Sequence, residues 1–427
     1  MTSRGHTVVL GGGFAGLETA FTLRQLAGDR ASLSLVSDRD TFLFKPNTIY
    51  LPFGGDESKL HIPLRKPLGR RSISYVSGTV AGIDTDRETV DVSDGTRLRY
   101  DHLVIATGAT MRPGEIPGLE ENAETIWTPE QMRSLGERLQ WLKRQGSQNM
   151  RQRVLFLVPP NNKCAGPLYE IVFMLERWLR REGIRSQVEL TWTTYESSYI
   201  QAFGPRLDDV VRGEFARRDI DGYTSAVVQE VKPDTVVYAD GTSRGYDLLV
   251  AFPPYAAAVA YPGLPSDDRG FLVTDPATRR IVGHENVYAP GDAGDFPVKQ
   301  AFLAFLQADA VAGQIASSLG AAPRRIREFE PTSMCVMEMF DTATFAQVPL
   351  DLTGDPAAPV AVAADAGDAY RVGVSPIWRL GKKTLGLYLP MQFRAGRPFH
   401  GGRAWRAMEL GLNGMSRVLA TGPGESS

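Results

Sequence analysis

Cysteine is scarce in this chain, since its 427 residues include two, Cys164 and Cys335. They lie too far apart for a Cys-x-x-Cys redox motif or for the close ligand spacing of a zinc site. We therefore expect no metal centre. Counting alone favours two buried structural thiols and leaves a redox-active pair as the alternative.

Charge of one sign and long apolar runs are lacking as well. The formal net charge is −2, so no nucleic-acid partner is predicted. Pro253 and Pro254 interrupt the longest apolar run, 248–260, and a bilayer span needs roughly 18 apolar residues. Because no charged N-terminal segment leads into an apolar one, we expect no secretion signal and a cytoplasmic location.

The N-terminal segment has the pattern of a dinucleotide-binding turn. A predicted strand, Thr7–Leu10, leads into a GxGxxG sequence and a predicted helix, Leu17–Leu26. Its glycines permit a tight turn, a close approach of backbone to pyrophosphate, and helix–strand packing. Free N–H groups and the helix dipole then face the phosphates. The predicted cofactor contacts in this turn are Gly11, Gly13, Phe14, Ala15 and Gly16.

The next predicted strand, Ser32–Val36, ends where a ribose-binding acid is expected. Ser37 occupies the usual position of that acid, and Asp38 follows one residue later. Both residues are therefore candidate cofactor contacts.

Two later motifs indicate FAD rather than NAD. One predicted buried strand ends in Ala106-Thr107-Gly108, and another ends in Gly291-Asp292. Together with the glycine turn, this order is similar to that of the flavoproteins with two dinucleotide-binding domains. The resemblance implies that the Ala-Thr-Gly turn crosses near FAD, and that Asp292 holds its ribityl and pyrophosphate region.

A second βαβ unit is predicted from a strand at 153–158, a helix at 166–182 and a strand at 187–193. Its first turn contains Pro159 and Pro160 and only one glycine, so donors for a pyrophosphate are missing. We infer that the nicotinamide site has been lost. Cys164 lies in this turn, beside Lys163 and just before the helix, and both neighbours should lower its thiol pKa.

Cys335 lies in an apolar, methionine-rich strand predicted at 334–340. Residues 341–344 are predicted to turn, and 345–349 to return as the partner of a β-hairpin. Such a strand can simply belong to the core. Considered together with Cys164, however, it suggests a redox pair.

These features resemble the sulfide:quinone oxidoreductases and the related flavocytochrome c sulfide dehydrogenase flavoproteins over nearly the whole chain. Residues 37–47 are similar to the segment after the family's second strand. Residues 164–170 are similar to the loop that carries one redox cysteine, followed by Glu170 as a proton-handling candidate. Cys335 is similar to the other redox cysteine, and Lys299 to a lysine near the flavin pyrimidine and the quinone. Further FAD contacts implied by the resemblance are Lys45, Val80, Ala106, Gly108, Gly291 and Lys299.

Trp127 is a departure from this pattern, since many bacterial members carry a third cysteine there. The departure puts the release of the sulfur chain in doubt and removes a possible thioether link to FAD. The resemblance otherwise implies that sulfide opens a Cys164–Cys335 bridge and that two electrons pass to non-covalent FAD and then to a membrane quinone. Two alternatives stay open: a type II NADH:quinone oxidoreductase, against which the proline-rich turn argues, and a non-catalytic flavin redox sensor.

The predicted fold class is α/β, with two Rossmann-like domains and a C-terminal region that contains a β-hairpin and an amphipathic helix. We assign residues 1–112 and 266–330 to a discontinuous FAD domain, and 113–265 to the second domain. Within the latter, 141–153 is predicted as a polar linker or exposed loop. Residues 331–427 form the C-terminal region, with Cys335 and the membrane and quinone contact.

Basic residues dominate near the C-terminus, where 371–420 contains nine Lys and Arg and a single acid, Glu409. An apolar helix face is predicted in the same segment. Basic charge with such a face is typical of peripheral binding to an anionic bilayer, and a core-packed terminal helix is the alternative. The apolar helix face consists of Trp405, Met408, Leu412, Met415 and Leu419.

The sequence leaves open whether the protein forms an oligomer.

Overall fold

The computed structural model describes residues 5–321, 328–399 and 401–420. These residues contain nine α-helices among sheets that are mostly parallel at the centre of the molecule, as predicted for the α/β class. The helices are α1 Phe14–Ala27, α2 Arg65–Gly69, α3 Leu119–Asn122, α4 Pro129–Ser147, α5 Gly166–Arg181, α6 Pro205–Arg218, α7 Ala301–Ser318, α8 Pro376–Arg394 and α9 Gly402–Leu419.

The first sheet has five parallel strands and carries the glycine-rich turn. Its central strand is a run of buried aliphatic residues, the pattern of a strand covered on both faces. Helices α1 and α7 pack against each other beside this sheet. In spatial order the strands are Val287–Tyr288, His102–Ile105, Gly5–Leu10, Ala31–Ser37 and Ser74–Ser77.

The second sheet also has five parallel strands and carries the turn with Cys164. Two strands, Ala109–Met111 and Tyr255–Ala257, pair antiparallel where the chain passes between the two sheets. In spatial order the strands of the second sheet are Glu124–Thr125, Leu248–Ala251, Gln152–Val158, Val188–Thr194 and Ile220–Tyr223.

The prediction of a linker or exposed loop over 141–153 is wrong. Helix α4 extends to Ser147, and the next strand begins at Gln152. The helix starts with a capping box, in which the Thr128 side chain accepts from the Gln131 N–H and the Gln131 side chain accepts from the Thr128 N–H. Charged residues on the outer face hide the apolar stripe that packs inward, which consists of Met132, Leu135, Leu139 and Leu142.

The C-terminal region forms an antiparallel sheet around the predicted hairpin. Strand Thr332–Glu338 pairs with Ala343–Leu352, and Cys335 lies opposite Ala346. Strands Val360–Val362 and Arg371–Ser375 also pair with the long second strand. Cys335 therefore occupies an edge strand of this sheet.

Short strands complete the fold. They form three small antiparallel sheets. They comprise Thr41–Leu43 with His61–Pro63, the three-stranded sheet of Val80–Asp84, Thr89–Val92 and Arg97–Arg99, and the three-stranded sheet of Val228–Lys232, Thr235–Tyr238 and Ser243–Gly245.

The apolar face predicted to bind a membrane on α9 packs largely against the protein. Trp405 and Leu412 are each 6% exposed, and Met408 and Leu419 pack on a cluster that includes Phe345. The core-packed alternative therefore holds for these residues, because the face covers the C-terminal sheet. Met415, the fifth residue of the face, is 38% exposed.

Helix α8 presents a different apolar row to solvent. Its members are three, seven and four residues apart, spacings of one or two helical turns, so they lie on one side of the helix. No helix within the described ranges is long and apolar enough to cross a membrane. The exposed row, called the α8 outer row below, consists of Ile377, Leu380, Leu387 and Met391.

Candidate functional site

The glycine-rich turn has a shape that suits a pyrophosphate. Gly11 has a φ of 106°, and a Cβ there would collide with the carbonyl of Ala106. A Cβ on Gly16 would likewise strike the carbonyl of Gly11, so helix α1 crosses the turn closely. Gly13 has no protein atom within 4 Å of its Cβ position and is open. Phe14 and Ala15 begin α1 directly after it, so their N–H groups face this opening.

The Ala-Thr-Gly and Gly-Asp motifs lie beside this turn, as predicted. The Ala106 N–H donates to the Leu10 carbonyl at 2.8 Å, which joins the two strand ends. Gly108 adopts a φ of 79° with open space at its Cβ position. A Cβ on Gly291 would lie 2.7 Å from the Cβ of Ala15. The three motifs therefore meet at the carboxyl ends of one sheet, where dinucleotides bind.

Two lysines, the half-buried Lys45 and the buried Lys299, lie near Asp292. Burial lowers the pKa of Lys45 and of Lys299 to about 7, and the Asp292 carboxylate opposes this in both cases. Burial raises the pKa of Asp292, while the lysine charges oppose that shift. The Lys45 ammonium lies 3.1 Å from the ring centre of Trp127. The residue that replaces a third cysteine is therefore in contact with the predicted flavin site.

The two predicted ribose contacts, Ser37 and Asp38, differ in their exposure to solvent. Ser37 is buried, and its hydroxyl accepts the Arg39 N–H at 3.2 Å. The Asp38 side chain is 58% exposed and lies 3.9 Å from the Arg39 guanidinium. Val80 starts an antiparallel strand and is partly buried beside the first sheet. Their roles toward FAD stay predictions.

Cys164 lies two residues before α5, as predicted, in a loop fastened by Asn162. The Asn162 side chain accepts the Cys164 N–H at 3.0 Å and donates to the Phe252 carbonyl at 2.9 Å. The Lys299 N–H donates to the Lys163 carbonyl at 3.2 Å, which ties the loop to the flavin side.

The expectation of a lowered Cys164 pKa is wrong. Burial raises the pKa of this thiol to about 12. The Gly166 N–H at the helix start lowers it, and the charges of Asp292 and Glu196 raise it further. Desolvation outweighs the helix N-terminus because the sulfur lies in the interior.

Cys335 is half-buried like Cys164, and neither cysteine is in a disulfide. Burial raises the pKa of the Cys335 thiol to about 12, and the charge of Cys164 raises it further. Both side chains also pack on the same apolar cluster. The structure thus brings the two distant cysteines into one neighbourhood, within electrostatic range of each other.

Glu170 is a buried carboxylate rather than a solvated helix residue. It is 6% exposed, and its Oε1 accepts the Glu338 N–H at 2.7 Å. The Lys382 ammonium of α8 pairs with the same oxygen and also donates to the Val336 carbonyl at 2.9 Å. Three elements meet at this carboxylate: α5, the Cys335 strand and α8.

Glu338 extends this polar chain. Its carboxylate accepts from Arg379 of α8 at 2.7 Å and from the Tyr50 hydroxyl at 2.9 Å. A path of ionisable groups therefore runs from the Cys164 helix to α8. No periodic or motif signal in the sequence points to Lys382, Arg379 or Tyr50, because their partners are distant in the chain.

Glu196 is a further residue that sequence reasoning missed. It follows the strand Val188–Thr194, and burial raises its pKa to about 7. Its carboxylate accepts from the Thr194 hydroxyl at 3.0 Å and from the Gln201 N–H at 3.0 Å. The sequence signal that could identify it is an acid after the second strand of a Rossmann unit, although the glycine turn that usually accompanies this acid is missing here.

The fold and the cofactor turn define a class of protein. Residues 5–143 match the sequence profile of the pyridine nucleotide-disulphide oxidoreductases. A crystal structure of the sulfide:quinone oxidoreductase from Aquifex aeolicus superposes with a TM-score of 0.79 at 24% identity, covering 99% of this chain and 100% of that one. The architecture is therefore the two-Rossmann fold predicted above.

The resemblance to the sulfide:quinone oxidoreductase family is confirmed by sequence comparison. The sulfide-quinone reductase of Aquifex aeolicus is 32% identical over 282 residues, which is 65% of this chain and 64% of that protein. The demethylphylloquinone reductase of Synechocystis is 26% identical over 381 residues, covering 82% and 89% of the two chains. The match to the Aquifex reductase thus spans somewhat less than two thirds of that protein's own length.

Proposed function

We propose that this protein oxidises sulfide with a Cys164/Cys335 redox pair and passes the electrons through FAD to a membrane quinone. The observation that supports the proposal is that the two cysteines, which come from different sheets, lie close enough for Cys164 to raise the pKa of Cys335, as Asp292 of the cofactor motif raises that of Cys164. The loss of the glycine turn in the second Rossmann unit removes NADH as the competing electron source.

The sulfur step follows from thiol–disulfide chemistry. Hydrosulfide attacks one sulfur of the bridge, the S–S bond breaks, and one cysteine becomes a persulfide while the other leaves as a thiolate. Since burial raises the pKa of both thiols, the leaving thiolate needs a nearby positive charge or rapid oxidation. A second sulfide or another acceptor then removes the sulfane sulfur.

The residues around the turn fit FAD, which supplies two-electron acceptor chemistry when bound. Gly11, Gly13 and Gly16 would hold its pyrophosphate, and Asp292 its ribityl region. Lys299 would stabilise negative charge at the pyrimidine side. Because both cysteines belong to the redox pair and Trp127 replaces the third, FAD binding is non-covalent.

Glu170 is the proton-handling group in this proposal. Its carboxylate contacts the strand that carries Cys335 and pairs with Lys382 of α8. Burial lowers the pKa of Lys382, which favours sharing of a proton with Glu170. Protons can thus move between the cysteines and the helix that we assign to the membrane side.

Peripheral membrane attachment is proposed through α8, with the α8 outer row replacing the α9 face predicted from sequence. Arg379 and Lys382 point inward from the same helix to Glu338 and Glu170. A helix with an apolar outer side in a basic segment suits the surface of an anionic bilayer. We place that surface on the cytoplasmic side.

The test is an anaerobic titration of the flavin spectrum with sulfide in Cys164→Ser and Cys335→Ser. Each variant should retain FAD, because neither residue lies in the three cofactor motifs, and should lose about 10²-fold or more of sulfide-driven bleaching. The double variant should be little worse than either single one. Dithionite should bleach all of them equally, which controls for flavin access.

A flavin-loaded Cys164→Ser protein that still oxidises sulfide at near the original rate contradicts the mechanism. Bleaching by sulfide without reoxidation by quinone would favour the redox-sensor alternative instead.

A further inference from the structure

Arg218 lies at a buried junction far from the two cysteines along the chain. Its guanidinium is 2% exposed and contacts three carboxylates: Glu176 at 2.8 Å, Glu214 at 3.0 Å and Asp341 at 2.7 Å. Glu176 belongs to α5, Glu214 to α6 as Arg218 does, and Asp341 to the turn of the Cys335 hairpin. One arginine thus joins the Cys164 helix to the Cys335 hairpin.

The two connected segments run side by side in the same direction. The inner link is the hydrogen bond from the Glu338 N–H to Glu170, and the outer link is Glu176–Arg218–Asp341. On α5 the two links are six residues apart, a rise of about 9 Å, and on the hairpin they are three residues apart, across the bend at Phe340. The outer link therefore fixes the hairpin turn to α5 at a second point.

The same reasoning applies on the side toward the cysteines. Cys335 precedes Glu338 by three residues, about 10 Å of strand. Cys164 precedes Glu170 by six residues, and α5 already begins at Gly166. The inner link and the bond from Lys382 to the Val336 carbonyl hold the strand of Cys335 from one side. The outer link adds a fixed point at the turn, beyond Glu338, and so restricts the tilt of the hairpin that sets the position of Cys335.

The hairpin turn needs such an anchor because its backbone is strained. Phe340 has a φ of 67°, an unfavourable conformation for a bulky residue. Its ring packs against Phe53 at 5.0 Å and below the Arg181 guanidinium at 5.3 Å. Asp341 also caps the turn, since its Oδ1 accepts the Thr342 N–H at 3.0 Å.

We propose that the Glu176–Arg218–Asp341 junction is a positioning device that sets Cys335 against Cys164 so that the pair can close. The inference rests on the proposed function and names the residues that regulate closure of the same site. In closure against oxidised dithiothreitol, the two thiols form one S–S bond while the reagent takes up two electrons and two protons.

The test measures this thiol–disulfide equilibrium in the flavin-loaded protein by trapping free thiols and counting them by mass after unfolding. Asp341→Ala should lower the equilibrium constant for closure about tenfold, because a charge-assisted contact is lost, which corresponds to about 30 mV in the two-electron potential. Asp341→Asn retains an acceptor for Thr342 and is the second variant, measured in case the alanine protein does not fold. It should show a smaller shift in the same direction.

Asp247→Ala is the matched control. Asp247 is 33% exposed against 24% for Asp341, and it also pairs with an arginine and accepts a backbone N–H, from Arg153 at 2.7 Å. It lies at the amino edge of the second sheet, so its loss should lower the melting temperature without changing the closure constant.

An unchanged closure constant in both Asp341 variants, with a normal disulfide in the wild type, overturns this inference and leaves the proposed function intact. An equal shift in Asp247→Ala also overturns it, because the effect would then be general destabilisation. A wild-type protein that forms no disulfide overturns the proposed function and this inference together.

Discussion

Replacement of two leucines on the α8 outer row tests the membrane assignment most directly. Leu380 is 67% exposed and Leu387 is 77% exposed. Complete burial of a leucine side chain is worth about 1.5–3 kcal/mol, so insertion of both should contribute about 3 kcal/mol. Because 1.4 kcal/mol is tenfold in an equilibrium constant, the Leu380→Ser/Leu387→Ser double variant should bind vesicles roughly 100-fold more weakly.

The assay is co-sedimentation with vesicles that contain anionic lipid, at several salt concentrations. The weak vesicle binding that the variant retains should be more sensitive to salt than the binding of the wild type, because the basic residues of the segment remain. FAD content and melting temperature should stay unchanged, since both side chains already face solvent.

The matched control replaces two exposed leucines elsewhere, Leu26→Ser with Leu352→Ser. These side chains are 38% and 47% exposed and lie on α1 and at the end of the long C-terminal strand. Equal loss of binding in the control would mean that vesicle binding depends on the total exposed apolar surface and not on the α8 outer row. Unchanged vesicle binding in the α8 variant refutes the assignment. If the variant instead differs from the wild type in its molecular mass in solution without lipid, the α8 outer row is a contact between two copies of the chain.

Three further outcomes are expected. NADH should not bleach the flavin at useful rates, since the turn before Cys164 lacks a phosphate cradle, and stopped-flow bleaching at ordinary concentrations would revive the NADH dehydrogenase alternative. Acid precipitation should leave yellow flavin in the supernatant, whereas flavin that stays with the washed, unfolded pellet would disprove non-covalent binding. Lys299→Met should lower the flavin potential at pH 6 and change it little at pH 9, because the Lys299 pKa of about 7 leaves the ammonium charged only at the lower pH. An equal effect at both pH values would contradict that role.

The local parts of the fold were predictable because their signals lie within short segments. The Gly11–Gly16 turn, the strand that ends at Gly108 and the one that ends at Asp292 each combine a buried apolar run with a residue type required by backbone geometry. Their meeting at one edge follows from the rules for parallel sheets. The hairpin at Cys335 was likewise predicted, because its two apolar strands flank a polar turn.

The remaining features depend on distant partners. The end of α4 is hard to recognise in the sequence because the charged residues of its outer face dominate the composition. The apolar stripe is evident only once the helix is seen to pack on the rest of the domain. The α9 face was assigned to a bilayer because a sequence pattern cannot distinguish lipid from the C-terminal sheet as the covering surface. The pKa of Cys164 is raised rather than lowered because burial, a property of the whole fold, outweighs the effect of the nearby helix N-terminus.

The order of strands in the first sheet has a consequence for synthesis of the chain. The strand His102–Ile105 pairs on its outer side with Val287–Tyr288, so that side stays unpaired until the whole second sheet has been made. An unpaired strand edge is prone to association with other chains, and such long-range pairing is intrinsically slow. We therefore expect the inserted second unit to fold first on the ribosome, and truncations before residue 287 to aggregate.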